Sequence, residues 1–137
     1  MTKNLYLSFR VLTSLIFLTA GISHVFNPAK ALNRLSKSTI YDWMPIPNLF
    51  VALVVASGII MIAGAICLIA NFKIKLAAIA LLLVLIPITL SVQLENLNDL
   101  GPFFKNVAIS GSLIVLIKLK KNEIHQNIYD DAHNRAY

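Results

Sequence analysis

Residues 48–92 read NLFVALVVASGIIMIAGAICLIANFKIKLAAIALLLVLIPITLSV. Two long apolar runs, 48–70 and 74–92, are separated by a short polar break, and charge enters only at Lys73 and Lys75. A helix that crosses a bilayer needs about 20 mainly apolar residues, and each run is of that length. The stretch therefore reads as a hairpin of two membrane helices.

The flanking sequence supplies two more spans. Residues 5–26 are interrupted only by Arg10 and His24, and residues 103–118 carry Lys105 near their start and Lys118 at their end. Lysines near helix ends extend their ammonium groups to the headgroups, so they do not break a span. The first span continues through Val25 and Phe26 with no small-residue cleavage site after its core. It reads as a retained helix, not a signal peptide. The expected fold is an all-α membrane protein with four transmembrane helices in an antiparallel bundle. Residues 1–121 would form the membrane domain and 122–137 a cytoplasmic tail.

Composition agrees. The 137 residues are 58% hydrophobic and 13% charged, against about 45–50% and about 25% in average globular chains. The net charge of +6 comes from basic residues beside apolar runs, which suits topology control and anionic lipid headgroups. It does not have the aromatic-interleaved pattern of a nucleic-acid surface, and no nucleic-acid partner is expected. The single cysteine, Cys67, excludes an intrachain disulfide, a CxxC motif and a cysteine-based zinc site. Cys67 reads as a small packing residue.

Orientation follows from Lys and Arg near the helix ends. Lys3, Arg10, Lys73, Lys75, Lys118, Lys120, Lys121 and Arg135 fall on one side, and Lys30, Arg34, Lys37 and Lys105 on the other. The bias puts both termini in the cytoplasm and the loops 27–47 and 93–102 outside. The first outer loop carries a helix of its own. Asn27 is placed to cap it and Pro28 to open it. Ala31, Leu32 and Leu35 fall on one side, and Lys30, Arg34 and Lys37 largely on the other. This is the pattern of a short interfacial helix, with an outer lid over a site as the alternative. Tyr41 and Trp43 suit the headgroup level.

Small residues let membrane helices approach closely. Gly21 shares a stripe with Arg10, Thr13, Phe17, Ala20 and His24. The second span offers Ala52 with Ala56, then Ser57, Gly58 and Gly64; the third offers Ala77, Ala78 and Ala80; the fourth offers Ala108, Gly111 and Ser112. These faces are expected to pack the bundle or to meet a partner subunit. Pro87 removes one backbone N–H from the third span and crowds the carbonyl of Leu83.

Four polar residues share one depth. His24 ends the first span, Gln93 and Glu95 end the third, and Asn106 lies about a turn inside the fourth. They are the candidate ligand-binding residues. Arg10 is 14 residues from His24, about 21 Å along a helix, and belongs to the other surface. His24 has two open readings, a structural interface histidine and a site residue. Asn106 likewise reads equally as an interhelical hydrogen-bonding residue. No catalytic constellation is evident: there is no phosphate loop, HExxH pair or nucleophile elbow. His125 and His133 lie in the tail, away from His24, so no metal site is expected and bis-histidine haem ligation is excluded.

The stretches FLTAGISHVFNPAKAL (17–32) and GPFFKNVAISGSLIVL (101–116) resemble the DoxX family of small bacterial membrane proteins with four helices. The resemblance rests on Phe17, Ala20, Gly21, His24 and Pro28, and on Phe103, Phe104, Lys105, Asn106 and Gly111. It implies a bacterial inner-membrane protein, with a non-catalytic subunit or scaffold role in a membrane redox system as the first expectation. The family name comes from a subunit of a thiosulfate:quinone oxidoreductase, but thiosulfate oxidation does not transfer, and a dithiol mechanism lacks its paired cysteines here. The alternatives are a protein that binds a quinone or other amphipathic molecule at the outer end of the bundle, and an oligomeric small transporter. The expected partners are the lipid bilayer, and a membrane or periplasmic redox partner or a homo-oligomer. No cofactor is fixed by the sequence; quinone is the candidate.

Overall fold

The computed structural model describes residues 3–36, 46–93 and 101–134, with side chains described from 4 to 119 within these ranges except at 47 and 91–93. Tyr41, Trp43 and Glu95 lie outside the described residues. The described residues form five helices: α1 (Lys3–Phe26), α2 (Pro28–Leu35), α3 (Pro47–Ile69), α4 (Ile74–Gln93) and α5 (Gly101–Asn134). Among the described residues there is no strand. Asn4–Phe26, Asn48–Ile69 and Gly101–Leu119 are long and apolar enough to cross a membrane, and α4 adds a shorter apolar stretch, Ile74–Leu90. The expected all-α architecture is present, including the short helix after the first span. α5 runs unbroken past residue 121 to Asn134. Its 34 residues span about 51 Å, well beyond a hydrocarbon core of about 30 Å.

The helices pack in sequence order. α1 lies along α3, α3 along α4 and α4 along α5, while α2 crosses α3 and touches α1 and α4. Phe17, Met61, Ala65, Leu68, Ala78, Leu81, Leu113 and Leu116 lie in the shared core. Large apolar side chains cover the outside as well; Leu83 is 66% exposed and Leu12 63%. Such a surface suits a lipid solvent, because acyl chains are as apolar as leucine. The hydroxyls follow the same logic. Thr13 donates to the Phe9 carbonyl at 2.8 Å, Ser14 to Arg10 at 2.7 Å and Ser110 to Asn106 at 2.9 Å. Each satisfies its donor within its own helix, where no water is at hand.

Glycine sets the closest approach. A Cβ on Gly21 would lie 2.8 Å from the Gly58 carbonyl oxygen, and one on Gly58 would lie 2.9 Å from the Gly21 carbonyl oxygen. The backbones of α1 and α3 cross there in direct contact. A Cβ on Gly64 would lie 2.8 Å from Leu81 Cγ, so α3 and α4 also meet over a glycine. On the fourth span the small residues do not pack the bundle. Ala108 and Gly111 are exposed, and a Cβ on Gly111 would meet nothing within 4 Å. The packed face of α5 is Asn106, Ile109, Leu113 and Leu116, at helical spacing. Ala52 and Ala56 of α3 are exposed too. Small size permits close packing but does not direct it.

The hairpin between α3 and α4 closes with a Schellman motif. The Phe72 N–H donates to the Cys67 carbonyl at 2.9 Å and the Asn71 N–H to the Leu68 carbonyl at 3.3 Å. Asn71 takes the left-handed conformation this requires, with φ 59°, which asparagine tolerates better than most residues. Its side chain has a second use. Arg10 Nη1 donates to Asn71 Oδ1 at 2.6 Å, and Nη2 to the Ile69 carbonyl at 3.5 Å. The guanidinium lies 5.6 Å from the Tyr6 ring centroid, and Arg10 is only 6% exposed. A residue readable as a topology anchor is therefore a buried clamp. It fastens α1 to the C-terminal end of α3, where the helix dipole favours a cation.

Two outcomes follow for stability, read as loss of helical circular dichroism during titration with a denaturing detergent. Gly58→Ala is expected to cost about 1–3 kcal/mol by forcing α1 and α3 apart, whereas Gly111→Ala gains up to about 1 kcal/mol from helix propensity. Asn71→Gly keeps the left-handed cap but loses the Arg10 bond, at about 1.5–3 kcal/mol. Asn71→Ala costs a further ~1–2 kcal/mol of backbone strain. An Asn71→Gly protein as stable as the parent would show that the clamp contributes nothing.

Candidate functional site

At the end of the bundle opposite Arg10, α1 stops at Phe26. Asn27 leaves helical geometry (φ −137°, ψ 59°) and Pro28 opens α2. The expected side-chain cap is not made. The Asn27 carbonyl instead accepts the Lys30 N–H at 3.2 Å. Proline has no N–H to satisfy at this position, which lowers the need for a cap. The sharp reversal folds α2 back over the ends of α1, α3 and α4.

Beneath α2 lies a cavity of about 630 Å³, within the roughly 300–1,000 Å³ usual for small-molecule sites. α1 contributes Ala20, Ser23 and His24, and α2 contributes Lys30, Ala31, Arg34 and Leu35. α3 contributes Phe50, Leu53, Val54, Ala56, Ser57 and Ile60, and α4 contributes Val84, Pro87 and Ile88. Most of this wall is apolar. The polar groups gather where α1, α2 and α3 meet.

His24 is held by Ser57, with Nδ1 3.3 Å from the serine Oγ. The Ser57 hydroxyl donates to the Val54 carbonyl at 2.7 Å. A hydroxyl has one proton, so Ser57 must accept from His24, and Nδ1 carries the hydrogen. In the neutral ring Nε2 is then a lone-pair acceptor, and it has no partner among the described residues. This nitrogen can accept a hydrogen bond from a ligand hydroxyl; once protonated, it can donate to a ligand oxygen. The Gly21–Gly58 crossing makes the pairing possible. His24 lies one turn beyond Gly21, and a Cβ on Gly58 would be 2.8 Å from His24 Cβ.

The other candidates are placed differently. Asn106 is buried on α5, which does not line the cavity. Its Nδ2 donates to Thr89 Oγ1 at 3.0 Å, and Thr89 donates to the Leu85 carbonyl at 2.7 Å. Asn106 thus joins α5 to α4. Gln93 closes α4, with its side chain outside the described portion, and Glu95 lies beyond the described residues. Four polar lining residues were not singled out from sequence as site candidates: Ser23, Ser57, Lys30 and Arg34. The signal for the last two was their spacing of four on a short helix, which puts them on one side of it. No group of three metal-ligating side chains occurs among the described residues.

These features define a multi-pass helical membrane protein with a cavity at one end of its bundle. The DoxX family model matches residues 5–94, about two thirds of the chain, and the chain belongs to the DoxX family. The match contains Phe17, Ala20, Gly21, His24 and Pro28, while the second motif, on α5, lies outside it. No curated protein and no solved structure matches the chain.

Asn106→Ala is expected to cost about 0.6–1.7 kcal/mol, the usual range for an interhelical hydrogen bond in a membrane. Detergent unfolding measures it, and no change in stability would show that the Asn106–Thr89 bond does not join the helices.

Proposed function

We propose that this chain is an inner-membrane protein, with cytoplasmic termini, that binds an amphipathic small molecule in the cavity beneath α2. The cavity itself carries this reading. Its walls are mostly apolar, its polar groups converge at one end, and His24 has a nitrogen without a partner among the described residues. A quinone is one candidate occupant, with Nε2 of His24 facing the hydroxyl of its reduced form. The placement of α2 favours the lid role for this helix.

A second reading, a membrane subunit beside a redox partner, draws on the uncovered face of α5 around Ala108 and Gly111. The two readings are compatible, because a chain that holds a membrane-soluble molecule can present it to a neighbour. Co-purification of a stable partner, lost on Gly111→Leu, would support the second.

The test of the first uses the full-length protein in nanodiscs and an alkyl-diazirine amphiphile as photoprobe, with labelled peptides identified by mass spectrometry. Saturable labelling near Leu53, Ile60 and Ile88 is expected. Ala56→Trp, which fills the cavity from an exposed position, should abolish it. Labelling that does not saturate, or that Ala56→Trp leaves unchanged, would sink the proposal.

A further inference from the structure

The cavity is electrically one-sided. Among the described residues its charged lining is Lys30 and Arg34, with no carboxylate. Among the described residues neither cation has an ion-pair partner. They sit at positions i and i+4 of α2, so their side chains share one side of the helix and repel each other by a few tenths of a kcal/mol. An anion between them would remove that repulsion and add charge-assisted hydrogen bonds.

Topology points the same way. With the termini in the cytoplasm, α2 lies on the side where Lys and Arg are disfavoured. A basic pair there runs against the orientation signal, and topology control does not account for it. A ligand does.

The apolar part of the cavity describes the rest of that ligand. From Phe50 to Ile60 its wall follows α3 for ten residues, or about 15 Å. Leu53 and Ile60 line it and are also exposed, at 55% and 43%. The cavity is therefore continuous with the lipid-facing surface, and a molecule dissolved in the bilayer could enter from the side.

We infer that the occupant is an anionic acyl-chain amphiphile. Its carboxylate or phosphate is clamped by Lys30 and Arg34, and its chain lies along α3 against Val84 and Ile88. The inference rests on the cavity reading above and specifies the headgroup charge, which that reading leaves open. The headgroup chemistry is shared by free fatty acids and anionic phospholipids.

Native mass spectrometry of the full-length protein in a neutral detergent tests it. The probes are oleate and phosphatidylglycerol, with neutral monoolein and phosphatidylcholine beside them. Either anionic probe should bind about tenfold or more tightly than its neutral counterpart. Preference for oleate identifies a free acid as the source, and preference for phosphatidylglycerol a membrane lipid; both support the anionic clamp. Lys30→Gln with Arg34→Gln should remove the difference. Both residues are exposed, so the fold is expected to survive, and Arg34→Lys should restore part of the preference. Lys105→Gln, an exposed cation on α5 outside the cavity, should change nothing. Equal binding of neutral and anionic probes, or an equal loss in Lys105→Gln, would overturn the anionic clamp. If the neutral binding is blocked by Ala56→Trp, the cavity reading stands without it. If no probe binds at all, both fail.

Discussion

At Gly21 and Gly58 two helix backbones touch, and neither position has room for a Cβ. In lipid this contact has unusual weight. Apolar side chains gain little by leaving acyl chains for one another, so association depends on how closely helices can fit. The crossing seats α1 against α3. It also brings His24, a turn beyond Gly21, against Ser57, the neighbour of Gly58. The chain then reverses at Asn27-Pro28 and lays α2 over the result. This close approach and the turn that follows it set the α1, α2 and α3 walls of the cavity, and α4 supplies the rest.

The two ends of the bundle resolve their polar groups in opposite ways. At one end Arg10 is buried and bonded to Asn71 and to the Ile69 carbonyl, so its charge is spent on holding α1 to the hairpin. Asn71 serves twice there, through its backbone as a helix cap and through its side chain as an acceptor. At the other end Lys30 and Arg34 stay exposed and His24 keeps one nitrogen without a partner among the described residues. The clamped end is buried, with Tyr6 Oη and Arg10 Nε left without partners among the described residues, whereas the open end presents its polar groups to a cavity.

Much of this was legible in the chain. The apolar runs predicted the long helices, Pro28 and the Ala31-Leu32-Leu35 pattern predicted α2, and the Phe17-to-Pro28 motif pointed to the family that the match over 5–94 identifies. The faces were harder. Ala108, Gly111 and Ser112 look as suited to packing as Gly21 does, yet Gly111 meets open space. A soluble helix marks its buried face by apolarity, but a membrane helix is apolar toward lipid and core alike, so that mark is missing. Asn106 shows the same ambiguity among polar residues: its depth matched His24, and its partner proved to be Thr89 on the neighbouring helix.

The sequence by itself determined the apolar spans, the proline that opens α2 and the class of solvent around the helices. These depend on local runs, on proline and on the cost of unpaired backbone groups in hydrocarbon. Only the tertiary structure decided which glycine is a contact and which is bare surface, that Arg10 is a clamp, and that Lys30 and Arg34 share a cavity with His24. Those facts depend on the relative placement of helices far apart in the chain, where differences of an ångström decide what fits, and no local pattern records them.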